Sequence, residues 1–187
     1  LNGMNEKGIG ACMNTLMQLK ASVTGLPVAF IVRRILNSTD KNDLLNFIQT
    51  VPHASGQNYI IGIGDEVFDF EASANKVVRF NPNNANGTIY HTNHPLVNDD
   101  VKEWFKKYDP TLSAKPAEHN SSIRLAAVTN RIAGKAVVDD VLIKETLRSK
   151  DDSNNPVCRA PKNGGFTFGS VIMTLSGKPF LQVTAGP

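Results

Sequence analysis

Two imidazoles flank a side-chain amide in His91-Thr92-Asn93-His94, which ends the apolar-to-polar run Gly87-Thr88-Ile89-Tyr90. The run reads as a strand, so His91 and Asn93 project to one face and Thr92 and His94 to the other. Two histidines three apart on a strand cannot clamp one metal unless the strand ends or bulges between them, and no metal is expected. A side-chain amide aimed at a developing oxyanion is a known catalytic device, worth roughly 3 kcal/mol of barrier. Asn93 and Asn14 both stand at predicted strand ends and are the candidates for that role. Asn is also the ordinary residue of strand-end turns. Composition and spacing alone therefore support a polar site on an α+β domain and nothing narrower.

A nucleophile–base pair is not evident. Gly169-Ser170 sits in a predicted strand and lacks the second Gly of a nucleophile elbow. Cys12 lies in an apolar strand, where a buried, protonated thiol is expected rather than a thiolate. Cys158 has Arg159 beside it, but neighbouring residues on a strand face opposite ways. The two cysteines lack CxxC spacing, which argues against zinc. Gly62-Ile63-Gly64 lacks the third Gly and the following helix of a phosphate loop. The pairs Asp99-Asp100, Asp139-Asp140 and Asp151-Asp152 fall in loops or at helix starts, where solvation or the helix dipole accounts for them.

The elements that must position these residues follow from periodicity. Residues 8–16 read as a buried strand after a turn at 5–8. Gly25-Leu26-Pro27 opens a helix that runs through Asn37, with Pro27 near the first turn, where a missing N–H costs nothing. Ser38 or Thr39 is expected to cap a second helix over 40–50. Residues 58–64, 67–72 and 77–80 are short, β-rich and separated by turn residues, as in an antiparallel meander. Residues 95–119 form a long polar excursion with Trp104, Phe105 and Tyr108 in a small amphipathic patch. Helices over 121–133 and 137–149 come next, then strands over 166–175 and 179–184. Helical pairs bracketing an antiparallel sheet point to one layered α+β domain spanning 1–187.

Composition narrows the function classes. Hydrophobic content of 41% and charge of 20% are globular values. A net charge of +3, with its basic residues scattered, argues against a nucleic-acid partner. The longest apolar run, 26–32, is too short to span a bilayer, so no membrane partner is expected.

Gly3-Met4-Asn5-Glu6-Lys7-Gly8-Ile9-Gly10 followed by Asn14 resembles a segment of the choloylglycine hydrolases and of the acyl-coenzyme A:6-aminopenicillanic acid acyltransferase family. The Gly25-Leu26-Pro27-Val28 helix opening, His91-Thr92-Asn93-His94, Val157-Cys158-Arg159-Ala160 and the last strand pair resemble the acyltransferase branch. The likeness runs from Gly3 to Pro187 with its motifs in order. It implies an N-terminal-nucleophile (Ntn) hydrolase with an αββα sandwich, which cleaves linear non-peptide amides or transfers their acyl group. The nucleophile implied is an N-terminal Cys freed by autocatalytic cleavage, with its own α-amine as base and no cofactor. The substrate implied is a small acyl amide.

Carried over residue by residue, the resemblance assigns Asn93 to the oxyanion hole and Asn14 to the strand end near the site. The family has an Arg early in the helix after the long loop. In a Ser-x-x-Arg register it falls on Arg124, and in the bile-salt-hydrolase register Ser121 takes that place. His91 and His94 become hydrogen-bonding groups that line the substrate. The chain departs from the pattern at Leu1, which begins inside it: the nucleophile and its strands are absent. The expectation is therefore a shortened or processed piece, inactive alone. It would be completed by the N-terminal segment as a separate chain, or would pair its exposed sheet edge in a homo-oligomer. A non-catalytic binding protein of the same fold is the competing expectation.

Overall fold

The computed structural model describes residues 2–82, 87–107, 120–161 and 165–186. Contacts divide the chain into two compact units. The first comprises Leu1–Asn81, Asn93–Tyr108 and Met173–Leu181, and the second Pro82–Thr92, Asp109–Ile172 and Gln182–Pro187.

The first unit is built on a five-stranded antiparallel sheet. Its strands β1 (Gly3–Met4), β2 (Ile9–Thr15), β3 (Gln57–Ile63), β4 (Glu66–Ala72) and β5 (Val77–Phe80) lie in sequence order. The predicted meander is present, with the short β1 added at its edge. Between β2 and β3 run helices α1 (Val28–Leu36) and α2 (Lys41–Thr50). Alternation along the strands sends Ile9, Ala11, Tyr59, Ile61, Phe68 and Phe70 to one face. There they pack with Ile31 and Ile35 of α1 and Leu44 and Ile48 of α2. Full burial of each Ile, Leu or Phe among them contributes about 1.5–3 kcal/mol.

Asn5 joins the β1–β2 turn to the end of α1. Its Nδ2 donates to the carbonyls of Leu36 at 3.0 Å and Ser38 at 3.1 Å, the first of which a helix C-terminus leaves without an intrahelical partner. The predicted cap of α2 requires correction. Asp40 is the N-cap, accepting Asp43 N–H at 2.7 Å. Ser38 is already engaged with Arg34, whose guanidinium donates to its hydroxyl at 2.7 Å and whose carbonyl accepts from it at 3.0 Å.

The opposite face of the sheet carries Gly10, Cys12 and Asn14 on β2, Asn58, Ile60 and Gly62 on β3, and Asp69 and Glu71 on β4. Leu175 lies across Gly10 and Gly62: a Cβ on either would come within 2.8 or 2.3 Å of its side chain. Asn58, Asp69 and Glu71 are each fully buried on this face. The first unit also holds a short helix, α3 (Glu103–Lys107), which carries Trp104 and Phe105 of the predicted patch. Tyr108 and residues 109–119 of the excursion lie outside the described residues.

In the second unit, α4 (Asn120–Ile132) packs on α5 (Asp140–Leu147). Asp139 caps α5 by accepting Leu142 N–H at 2.8 Å. Strands β6 (Gly169–Thr174) and β7 (Phe180–Ala185) form a two-stranded sheet, with residues 169–172 and 182–185 in this unit and the turn, where Gly177 has a φ of +69°, in the first. Phe168 and Val183 are 82% and 70% exposed. The element order is mixed, with helical pairs on either side of an antiparallel meander, as an α+β chain requires.

Candidate active site

Residues 87–92 form no strand, which overturns the reading of the His91 segment, and Asn93 and His94 sit in a bend. The reason lies in where the polar groups of this stretch go. The bonds shown for it run to a chain neighbour, to side chains and to isolated backbone groups, not to a neighbouring strand. The His91 ring bonds to the Thr92 carbonyl. Thr92 Oγ1 donates to the Ser121 carbonyl at 3.0 Å and accepts from Ser121 Oγ at 3.0 Å. The Asn93 carbonyl accepts from Gln18 Nε2 at 3.1 Å. Strict two-residue alternation therefore does not govern which way these side chains face.

Asn93 and Asn14 both belong to the first unit. Asn93 Nδ2 donates to the Thr15 carbonyl at 3.3 Å, so the Asn93 amide lies beside the end of β2, one residue on from Asn14. Asn14 lies within β2 rather than beyond it, paired across the ladder with Asn58, whose Nδ2 donates to Asn14 Oδ1 at 3.4 Å. The next partner in the row is Glu71, which faces Asn58 from β4. His94, half-buried, follows Asn93 in the same unit.

After His94 the chain is strapped to the sheet. The Glu71 carboxylate accepts three successive backbone N–H groups: Leu96 at 2.5 Å, Val97 at 3.1 Å and Asn98 at 2.7 Å. Asn98 returns a bond, its Nδ2 donating to the Glu71 carbonyl at 2.9 Å. Farther along, Asp100 accepts from Ser73 at 2.6 Å and from Lys20 at 2.9 Å, and Lys102 N–H donates to the Gln18 carbonyl at 2.8 Å. The strap from Asn93 to Lys102 is thus held at both ends and in its middle.

The other candidates belong to the second unit. Arg124 lies one turn into α4, and its Nε donates to Asn120 Oδ1 at 3.0 Å. Asn120 in turn donates to Asn155 Oδ1 at 2.8 Å. Burial, and then the like charge of Arg159, draw the Arg124 guanidinium below its ordinary range. An arginine so placed keeps its proton at neutral pH and presents a partly desolvated cation. A cavity of about 440 Å³ in this unit is lined by Lys144, Arg148, Lys150, Cys158, Thr167 and Ala185, among others, and by no carboxylate among the described residues. Lys144 and Arg148 are paired with Asp140 at 2.8 Å and Glu145 at 3.3 Å. Cys158 is not on a strand; its N–H donates to the Ser149 carbonyl at 3.0 Å, and it is buried.

The carboxylate pairs serve structure. Asp100 clamps the strap, Asp139 caps α5, Asp151 pairs with Arg131, and Asp152 accepts from the backbones of Asn154 and Asn155. Cys12 is half-buried, and desolvation pushes its thiol pKa up, the wrong direction for a nucleophile. Among the described residues no three of His, Cys, Asp and Glu gather as a metal site would need. Sequence reasoning missed Gln18, Asn58, Glu71 and Asn98. The signal was present in the alternation Phe68-Asp69-Phe70-Glu71, which marks a polar face, but alternation does not say whether that face meets water or protein.

Residues 1–177 match a family model described as acyl-coenzyme A:6-aminopenicillanic acid acyl-transferase. No curated protein matches the chain.

Proposed function

Since the chain belongs to the acyl-coenzyme A:6-aminopenicillanic acid acyl-transferase family, whose activity is acyl transfer or hydrolysis in general, we propose that it supplies the oxyanion-binding side of an amide-cleaving Ntn site. The nucleophile in this reading is an N-terminal Cys upstream of Leu1, uncovered by autocatalytic cleavage. The observation that carries it is the seat of the Asn93 amide, 3.3 Å from the Thr15 carbonyl at the end of β2. A donor tethered to a strand end is already oriented and needs little reorganisation as charge develops.

The Cys α-amine, with an ordinary pKa of about 8, takes the thiol proton. The thiolate attacks the carbonyl carbon of a linear, non-peptide amide, and the carbonyl oxygen becomes the oxyanion to which Asn93 Nδ2 donates. Collapse breaks the C–N bond, and the amine leaves with the proton held by the α-ammonium. Water then hydrolyses the thioester, or a second amine takes its acyl group. Asn14 supports the donor side, and His94 hydrogen-bonds the substrate. The partner at the sheet edge is the N-terminal segment as a separate chain or a second copy in a homo-oligomer, and no cofactor takes part.

The test is turnover by the complete protein with its N-terminal Cys, assayed on acyl amides such as penicillin V and conjugated bile salts. Asn93→Ala should lower kcat by about a hundredfold to a thousandfold with KM little changed. A complete protein that neither self-cleaves nor turns over any such amide is the non-catalytic relative instead.

A further inference from the structure

We infer that Glu71 is a positioning residue for Asn93, acting through the strap that follows it. This rests on Asn93 being the oxyanion donor proposed above. Glu71 is fully buried on β4, in one ladder row with Asn58 and Asn14. Its carboxylate caps three consecutive N–H groups, at residues 96, 97 and 98. Three convergent N–H dipoles form a concave anion site, and a carboxylate in it is held more tightly than a neutral acceptor would be. Asn98 closes the arrangement from the other side, bonding the Glu71 carbonyl at 2.9 Å and the Lys76 carbonyl at 3.3 Å.

Asn93 stands three residues before the first of those capped amides. Its carbonyl is fixed by Gln18 and its side chain by Thr15. With the carboxylate gone, the three N–H bonds that hold the strap just downstream of the amide are lost. The strap could then shift by an ångström without unfolding the sheet, and a displacement of that size is enough to cost an oriented donor most of its effect. Asn58 strengthens the argument. It is fully buried between Asn14 and Glu71, and its Oδ1 has no hydrogen-bond partner among the described residues, although its Nδ2 holds Asn14. The row is therefore built to orient Asn14 and the strap, at the expense of one unmet acceptor.

The test uses the complete protein and the variants Glu71→Gln, Asn93→Ala and their combination. Glu71→Gln keeps the shape and puts an amide N–H against the backbone donors. We expect kcat to fall by about a hundredfold with KM little changed, and the combined variant to lose no more than Asn93→Ala alone. Independent losses that multiply would overturn the inference, because they would mean that Glu71 acts elsewhere. A second readout does not need activity: the side-chain NH2 signals of Asn93 in NMR spectra should shift in Glu71→Gln and stay put in Lys144→Gln. Unmoved Asn93 signals in Glu71→Gln would also overturn it. If Glu71→Gln does not fold, Asn98→Ala, which leaves the buried carboxylate in place, is read by the same two criteria. A wild-type protein without turnover defeats the catalytic reading, and the NMR arm then decides the positioning role by itself.

Discussion

Ser121 and Thr92 are locked together by two hydrogen bonds of 3.0 Å, the Ser121 hydroxyl donating to Thr92 Oγ1 and Thr92 Oγ1 donating to the Ser121 carbonyl. Both residues are buried. The pair fastens the residue just before Asn93 to the first turn of α4. Thr92→Val keeps the volume and removes both bonds. It should cost about 1–3 kcal/mol of stability, read as a lowered urea midpoint. Ser121→Ala, which leaves one of the two bonds, should cost less. Equal midpoints for wild type and Thr92→Val would mean that the pair is idle.

His53 gives the stability a pH dependence. It is buried, its Nε2 donates to the Ile48 carbonyl at 3.1 Å, and its Nδ1 accepts from Tyr59 Oη at 3.4 Å. Burial draws the ring's pKa below its ordinary 6.5. The unfolded chain therefore binds a proton that the folded chain refuses. This contribution is complete above about pH 6.5 and is lost as pH falls through the folded value. Urea unfolding at about pH 7.5 and about pH 5 should show wild type losing more stability on acidification than His53→Gln. Parallel losses in the two proteins would place the acid sensitivity elsewhere.

Gly62 tests the close approach of Leu175 to the sheet. A Cβ at position 62 would sit 2.3 Å from a terminal methyl of Leu175, so the side chain must move. Gly62→Ala should destabilise by about 1–3 kcal/mol, and Leu175→Val introduced on that background should recover part of the loss. Recovery is the informative arm, because a backbone effect of alanine in β3 would not respond to position 175.

Arg124→Lys separates charge from geometry. A lysine there meets the same burial and the same Arg159 charge, both of which lower a cation's pKa. It loses the Nε bond to Asn120 and should lose its proton well before an ordinary lysine does. In the complete protein its turnover should fall further behind wild type as pH rises above neutral, and Arg159→Gln should move that decline to higher pH. A deficit constant across pH would assign Arg124 a purely geometric role.

Much of the first unit was legible because local signals agreed there. The alternation over 58–64 and 67–72, the turn glycines and the helical spacing of Ile31, Ile35, Leu44 and Ile48 all point to the same elements. The cap of α2 was misread by one or two residues because Ser38, Thr39 and Asp40 can all cap, and Ser38 is engaged by Arg34, four residues back at the end of α1. The His91 segment was misread for a deeper reason. Its residues have strand propensity, but their polar groups are met by Gln18, Thr15 and Ser121, which are 29 to 78 residues away. Glu71 and Asn58 were invisible for the same reason. Their positions mark a polar face, and only the distant residues 96–98 turn it into an interior.

The three amides gathered by Glu71 also bear on how this chain can vary. The bond from residue 71 to residue 96 closes a loop of about 25 residues whose two ends are pinned. The entropy of closing such a loop rises only with the logarithm of its length, so doubling it would cost about 0.6 kcal/mol. Insertions between Phe80 and His91 are therefore cheap, while a single deletion between Asn93 and Asn98 would change the reach from the anchor to the amide. Homologues should differ in length in the first interval and keep the second constant.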